Sequence, residues 1–141
     1  MNLNILEGEE TTHFSIVDKY GNAVSVTTTI NGGYGSKVVV EGAGFLLNNE
    51  MDDFSVKPGY PNMFGLVGGE ANSIEPNKRM LSSMTPTIIF KDKNLFALTG
   101  SPGGTSIINY VTKSVLGLID WGLDPSEVTE LPHYMNRGNY T

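Results

Sequence analysis

The 141-residue sequence predicts an α+β fold. Two pairs of short, β-favouring segments, at residues 11–30 and 85–99, are each joined by a polar turn, which is typical of β-hairpins. After residue 104 the apolar residues recur at helical spacing instead. Strands followed by helices along the chain are typical of a layered α+β domain.

The first predicted hairpin begins at Thr11, where Phe14 and Ile16 alternate with polar residues in the period of a strand. Residues 18–22 form a turn signal, and residues 23–30 are rich in Val and Thr, which favour strands. Further short strands are predicted at residues 38–40 and 45–47.

Residues 55–80 are rich in Gly and Pro and show no periodicity. They predict a long surface loop, and such loops are often lids or binding loops. A second hairpin is predicted from residues 85–90 and 95–99.

Two helices are predicted to follow. The second should start at Asp124, with Pro125 in its first turn. The first should place its apolar residues on one face that packs into a core, at Ile107, Ile108, Val111, Val115, Leu118 and Ile119.

Composition excludes several classes of function. The net charge is −6, and no basic stripe is present that would bind nucleic acid. There is no Cys, no apolar run long enough to span a membrane, and no signal peptide in residues 1–6. The two His residues, His13 and His133, lack the spacing of a zinc site, so we expect no zinc centre.

The groups left to carry chemistry are hydroxyls, carboxylates and glycine amides. One mechanism needs only these: a Thr at a chain N-terminus can use its own α-amine as the general base. Pattern alone does not single out Thr11, because a lone Thr in a strand is far more often structural.

The segment TTHFSIVD at residues 11–18 resembles the start of the small subunit of γ-glutamyltranspeptidases, which self-cleavage of a precursor creates. Five further segments resemble the family in the family's order and spacing. They are GNAVSVT (21–27), LLNNEMDDF (46–54), GLVGG (65–69), LSSMTPT (81–87) and GSPGG (100–104).

The resemblance implies a fold and an activity, and it implies no metal or organic cofactor. The fold is the αββα sandwich of N-terminal-nucleophile hydrolases, here incomplete, with residues 1–10 as a linker at the end of the precursor region and residues 11–141 as the catalytic small-subunit region. The activity is transfer and hydrolysis of γ-glutamyl groups from glutathione and related compounds, after autocatalytic cleavage before Thr11 and through a γ-glutamyl-threonyl intermediate.

The resemblance also implies roles for residues of the reaction centre. Thr11 is the nucleophile, and Thr29 on the neighbouring strand orients it. Gly103 and Gly104 form the oxyanion hole. This agrees with the start of a helix at that point, where free N–H groups are exposed.

Substrate binding is implied for a second set of residues. Asn31, Glu50 and Asp53 match the positions that hold the α-amino group, and an ammonium does require several acceptors. Ser82 and Ser83 match the pair that holds the α-carboxylate.

Three positions depart from the family pattern. Phe64 stands at the usual lid tyrosine and lacks the phenol hydroxyl. Met80 stands where a Pro is common, and Ser106 stands where bacterial members often have Arg.

The implied partners are a large subunit of the same precursor, which forms a heterodimer with this chain, together with glutathione and amino-acid or peptide acceptors. The large subunit and the last strands of the small subunit are absent from the sequence, which reads as truncated at its C-terminus. While Thr11 stays joined to Glu10 its amine is blocked, so we expect little activity from the chain alone. The family resemblance suggests a periplasmic or secreted protein.

Two alternatives remain open. One is a related amidohydrolase of the same superfamily, of the poly-γ-glutamate or cephalosporin acylase type. The other is an inactive fragment that acts only as an interaction domain. Comparing cleavage of glutathione, poly-γ-glutamate and glutaryl amides distinguishes the first, and an upstream large-subunit reading frame argues against the second.

Overall fold

The computed structural model describes residues 11–136, so the predicted linker at residues 1–10 lies outside the described part. The chain divides into two compact units. We call the one that holds residues up to Thr28 and from Ser83 onward the hairpin–helix unit, and the other, Thr29–Ser82, the loop unit.

The first predicted hairpin is confirmed. Strand β1 spans Thr11–Val17 and pairs with β2, Ala23–Thr29. The turn between them is built on Asp18, whose carboxylate accepts hydrogen bonds from the backbone N–H groups of Tyr20 (2.8 Å) and Asn22 (2.9 Å). An Asp that binds the backbone two residues onward is a common turn former, which explains the turn signal in the sequence.

The second predicted hairpin is also confirmed, as the antiparallel strands β3 (Thr87–Lys91) and β4 (Asn94–Thr99). Its two loop residues, Asp92 and Lys93, both have positive φ (51° and 66°), as the tight turns of two-residue hairpins require. The Ser25 hydroxyl of β2 donates to the carbonyl of Thr99 at 3.3 Å, which joins the two hairpins.

Helix α1 spans Ile107–Ile119 and helix α2 spans Pro125–Glu130, close to the predicted positions. The predicted cap is present: the Asp124 carboxylate accepts from Glu127 N (2.9 Å), while the Glu127 carboxylate accepts from Asp124 N (2.8 Å). The buried apolar residues of this unit are Ile89, Ile107, Val111 and Val128.

The loop unit contains little regular structure. The strands predicted at residues 38–40 and 45–47 form only an isolated bridge between Val39 and Leu46, so they are not strands of a sheet. Single turns of 3-10 helix lie at Glu50–Asp53 and Glu70–Asn72. Phe54 is the buried apolar residue of this unit.

The two helices touch at a glycine. A Cβ at Gly117 would lie 2.7 Å from a methyl carbon of Val128, closer than two carbon atoms can approach. Val128 is buried, at 3% exposure. Gly117 therefore lets α2 pack directly onto the backbone of α1.

We predict that Gly117→Ala destabilises the protein by about 1 kcal/mol, because overpacking costs about 1–3 kcal/mol and outweighs the helix-propensity gain of about 1 kcal/mol. Urea unfolding measures the change. In a Val128→Ala background the same substitution should become neutral or stabilising. Equal effects in both backgrounds would show that the contact with Val128 is not what requires glycine.

Candidate active site

Thr11, the predicted nucleophile, is the first residue of β1 and is half-buried. Residues two apart in a strand share a face, so Thr11 and His13 lie on the same side of β1. His13 Nδ1 is 2.8 Å from the Thr27 hydroxyl on β2, and Nε2 is 3.1 Å from the Ser15 hydroxyl. Partial burial lowers the pKa of His13, which favours its neutral form.

The loop between β4 and α1 packs against this face of β1. A Cβ at Gly100 would collide with the imidazole of His13, so any larger residue there would have to displace the ring. Gly100 is the first residue of the GSPGG segment, whose last two residues are the predicted oxyanion glycines. The ring of His13 thus ties the strand of Thr11 to the loop that carries Gly103 and Gly104.

The two predicted oxyanion glycines have backbone conformations that other residues rarely adopt. Gly103 has φ 133° and Gly104 has φ 54°, and a Cβ at Gly103 would lie 2.7 Å from the ring of Tyr110. Gly104 begins a short 3-10 turn that leads directly into α1, and no side chain caps that turn. The first N–H groups of a helix have no partner within it, so this backbone can bind an anionic oxygen.

Two serines near this loop are held by hydrogen bonds within the chain. The Ser83 hydroxyl donates to the carbonyl of Gly104 at 2.8 Å. Ser106, where the family often has Arg, is buried and donates to the sulfur of Met135 at 3.6 Å. Carboxylate binding by Ser83 remains a prediction, and it requires the hydroxyl to turn away from Gly104.

In the loop unit, Thr29 and Asn31 are joined. The backbone N–H of Asn31 donates to the Thr29 hydroxyl at 2.9 Å. The Asn31 side-chain amide donates to the carbonyl of Asn49 at 3.2 Å. Asn31 has φ 72°, a left-handed conformation that Asn tolerates better than most residues.

The predicted ammonium-binding carboxylates share one 3-10 turn of the loop unit. Burial raises the pKa of Glu50, and the charge of Asp53 raises it further. Burial also raises the pKa of Asp53, with the neighbouring Asp52 as the second cause. Glu50 Oε1 is buried and has no hydrogen-bond partner within residues 11–136. Crowded, partly desolvated carboxylates of this kind favour a bound cation.

Phe64 and Ser82, the remaining predicted residues, also belong to the loop unit. Phe64 is 36% exposed and belongs to a turn in which the Asn62 side chain accepts from Phe64 N (3.0 Å) and Leu66 N (2.9 Å). Ser82 is exposed at the end of the unit. Asn72 connects two parts of it, since its side chain donates to Asp53 O (2.7 Å) and accepts from Leu81 N (3.0 Å).

The structure places the predicted residues in two groups. Thr11, Ser83, Gly103 and Gly104 belong to the hairpin–helix unit, while Thr29, Asn31, Glu50, Asp53, Phe64 and Ser82 belong to the loop unit. Sequence reasoning missed the contact of His13 with Gly100 and the bridging side chains of Asn72 and Asn49. Asn49 accepts from Gly32 N at 2.8 Å and donates to the sulfur of Met63 at 3.4 Å. The sequence offers one signal for these residues, since Asn49 directly precedes the acidic segment 50–53 and Asn72 follows the glycine-rich segment 65–69.

Between residues 11 and 136, no group of three or more His, Cys, Asp or Glu side chains is placed to hold a metal ion. Neither described helix has the length and apolar character that crossing a membrane requires.

Comparison with known sequences identifies relatives along most of the chain. The family model described as gamma-glutamyltranspeptidase matches residues 2–140. The glutathione hydrolase proenzyme of Escherichia coli is 55% identical over 128 residues, which cover 91% of this chain and 22% of that protein. The Bacillus subtilis proenzyme of the same name is 44% identical over 127 residues, which cover 90% of this chain and 20% of that protein. The chain thus spans about a fifth of the length of these curated relatives.

Solved structures show the same relationship. A threonine-to-alanine mutant of Helicobacter pylori gamma-glutamyltranspeptidase matches with a TM-score of 0.83 and 56% identity, over 89% of this chain and 68% of that one. The transpeptidase CapD of Bacillus anthracis matches with a TM-score of 0.59 and 25% identity, over 91% of this chain and 62% of that one. These matches confirm the expected N-terminal-nucleophile hydrolase fold, of which the described residues form a part. On the family match and the fold together, this chain belongs to the gamma-glutamyltranspeptidase family.

Proposed function

We propose that this chain carries the catalytic threonine of an enzyme that transfers and hydrolyses γ-glutamyl groups of glutathione and related compounds. The observation that supports this most is the position of Thr11. Thr11 is the first residue of β1 and lies on the same strand face as His13, whose ring contacts Gly100. The strand that carries the Thr11 hydroxyl therefore packs against the loop that carries Gly103 and Gly104.

Maturation is the first proposed step. The Thr11 hydroxyl attacks the carbonyl carbon of Glu10 and the peptide bond breaks, which leaves an ester on Oγ and a free α-amine. Water then hydrolyses the ester and releases Glu10 as a carboxylate. A free α-amine has a pKa of about 7.7–8.0, so it can accept a proton near neutral pH.

Turnover follows the same chemistry. The freed amine takes the Thr11 hydroxyl proton as Oγ attacks the γ-amide carbon, and the proton then passes to the leaving amine. The N–H groups of Gly103 and Gly104 stabilise the negative oxygen of the tetrahedral intermediate. Water or an acceptor amine attacks the resulting γ-glutamyl ester and regenerates the hydroxyl, with Thr29 orienting it.

Substrate recognition is assigned to the loop unit. Glu50 and Asp53 attract the substrate ammonium, and Asn31 supplies a neutral acceptor. The raised pKa values of both carboxyls support this assignment, because a cation bound between them would relieve their mutual repulsion. Ser82 and Ser83 are assigned to the α-carboxylate, and Phe64 to covering the pocket as a lid residue.

Partners follow from the relatives. Because relatives of this chain are named proenzymes, we propose a two-subunit enzyme in which a large subunit from the same precursor completes the site. Amino acids or peptides are the proposed acceptors. The poly-γ-glutamate type of amidohydrolase is the alternative substrate class, and comparing turnover of glutathione with that of poly-γ-glutamate distinguishes the two.

We predict that Thr11→Ala, in the protein expressed from its complete reading frame with the large subunit, abolishes maturation. It should also lower turnover of a γ-glutamyl anilide at least about a thousandfold, since it removes the nucleophile. Intact mass and N-terminal sequencing measure the cleavage. Thr11→Ser is the matched control and should retain both reactions at reduced rates. Normal cleavage and turnover in Thr11→Ala would overturn the proposed function.

Asp53→Asn should show opposite effects on stability and activity. The raised pKa means that the folded state disfavours the charged carboxylate, so the neutral amide should raise the free energy of unfolding at about pH 7. This advantage should shrink as the pH falls through the raised pKa of Asp53, and vanish below its ordinary value of 3.8, where the wild type is neutral too. Loss of the charge should lower kcat/KM for the γ-glutamyl anilide about tenfold or more.

Urea unfolding across pH and steady-state kinetics measure these two effects. Glu41→Gln is the control, because Glu41 is an exposed carboxylate of the same unit and should change neither quantity. A lower stability of Asp53→Asn at neutral pH would contradict the assignment of a strained, cation-seeking carboxylate.

A further inference from the structure

The sulfur of Met63 lies beside two asparagine amides of the loop unit. Its Sδ is 3.4 Å from Asn49 Nδ2 and 4.0 Å from Asn31 Nδ2. A thioether is a weak hydrogen-bond acceptor; the contact with Asn49 has the length of an N–H···S hydrogen bond, and the contact with Asn31 is at the outer limit of that range. Met63 is 58% exposed, so the contact is not enforced by a tightly packed core.

These contacts determine which way the Asn31 amide faces. Its Nδ2 lies 3.2 Å from the carbonyl oxygen of Asn49 and 4.0 Å from the Met63 sulfur, so each of its two N–H groups has an acceptor. Neither partner can donate a hydrogen bond. Reversing the amide would place Oδ1 against two acceptors, which is repulsive. The Asn31 oxygen is therefore held on the opposite side, where it can accept from a ligand.

Met63 is itself held by the acidic turn. Its backbone N–H donates to the Asp52 carboxylate, at 3.2 and 3.4 Å from the two oxygens. The side chain of the preceding Asn62 donates to the Asp52 carbonyl at 3.3 Å. The loop that carries Met63 is thus attached to the same turn, Glu50–Asp53, that carries the predicted ammonium-binding carboxylates.

Asn49 links the sulfur to the backbone next to Asn31. Its side-chain oxygen accepts from Gly32 N at 2.8 Å, and its amide donates to Met63. A Cβ at Gly32 would lie 3.3 Å from that oxygen, so the approach is close. The thioether, Asn49 and the Asn31 segment therefore form one hydrogen-bonded set.

We propose that Met63 is a positioning residue whose sulfur holds the Asn31 amide with its oxygen directed to the α-ammonium group of the substrate. The inference rests on the proposed function, since it concerns recognition of that ammonium. It extends that function by making selectivity for an α-amino acid depend on a loop residue that need not touch the substrate.

The test uses Met63→Leu in the complete two-subunit enzyme, because Leu keeps the apolar bulk and removes the acceptor. We expect KM for a γ-glutamyl anilide to rise about threefold with kcat unchanged, as suits the loss of one weak hydrogen bond. The inhibition constant of L-glutamate should rise equally. That of glutarate, which lacks the amino group, should not change.

Two further variants control this experiment. Met63→Gln offers an oxygen acceptor at similar reach and should restore KM to within about twofold of the wild type. Met80→Leu makes the same change at a half-buried methionine of the same unit and should leave all constants unchanged. The side-chain amide resonances of Asn31 and Asn49 in NMR spectra should shift in Met63→Leu and not in Met80→Leu.

Each other outcome counts against the proposal. Equal changes for L-glutamate and glutarate, no change in KM, or unshifted Asn31 and Asn49 resonances would each overturn it, while Thr11 chemistry would stand. Wild-type enzyme that turns over no γ-glutamyl compound would overturn the proposed function and this inference with it.

Discussion

The arrangement of the hairpin–helix unit depends on the absence of a side chain at one position. At Gly100 the backbone leaves room for the imidazole of His13, and no other residue could do so without displacing the ring. The ring is fixed from the other side by the Thr27 hydroxyl at 2.8 Å. Strand β1 and the loop before α1 are thereby packed into one body, so the position of Thr11 and the course of the Gly103–Gly104 backbone are set together.

The loop unit is stabilised differently. Its side chains form hydrogen bonds to backbone groups in place of a sheet, chiefly through Asn31, Asn49, Asn62 and Asn72. An amide can donate and accept at once, which allows a short side chain to replace the missing ladder of a strand. Burial in this network raises the pKa values of Glu50 and Asp53, so their charged forms destabilise the unit. The proposed recognition of a cation would use this same destabilised charge.

Much of the fold could be predicted from local patterns. The alternation after Thr11, the turn signal at Asp18 and the helical spacing from Ile107 each reflect one element and its immediate sequence, and each element is present. The prediction of strands at residues 38–40 and 45–47 was wrong, because β propensity alone does not supply a partner strand. In these two segments only Val39 and Leu46 pair, as an isolated bridge. The contact of Gly100 with His13 could not be predicted, since it joins residues far apart in the chain.

The candidate site was predicted through resemblance and not through pattern. A lone Thr, a pair of loop acids and a pair of glycines are each common, and nothing local marks Thr11 or Asp53. The bridging side chains of Asn49 and Met63 were missed because their roles exist only once the loop has folded back on the acidic turn.

One hydrogen bond of the loop unit also bears on chemical ageing. Asn followed by Gly is the dipeptide most prone to deamidation, in which the glycine nitrogen attacks the asparagine side chain to form a cyclic imide. Here Asn31 precedes Gly32, but Gly32 N is bound to the Asn49 oxygen at 2.8 Å, and the Asn31 amide is held at Asn49 O. The two reacting groups are kept in separate contacts, so the hydrogen bonds that fix the Asn31 amide should also slow its spontaneous loss by deamidation.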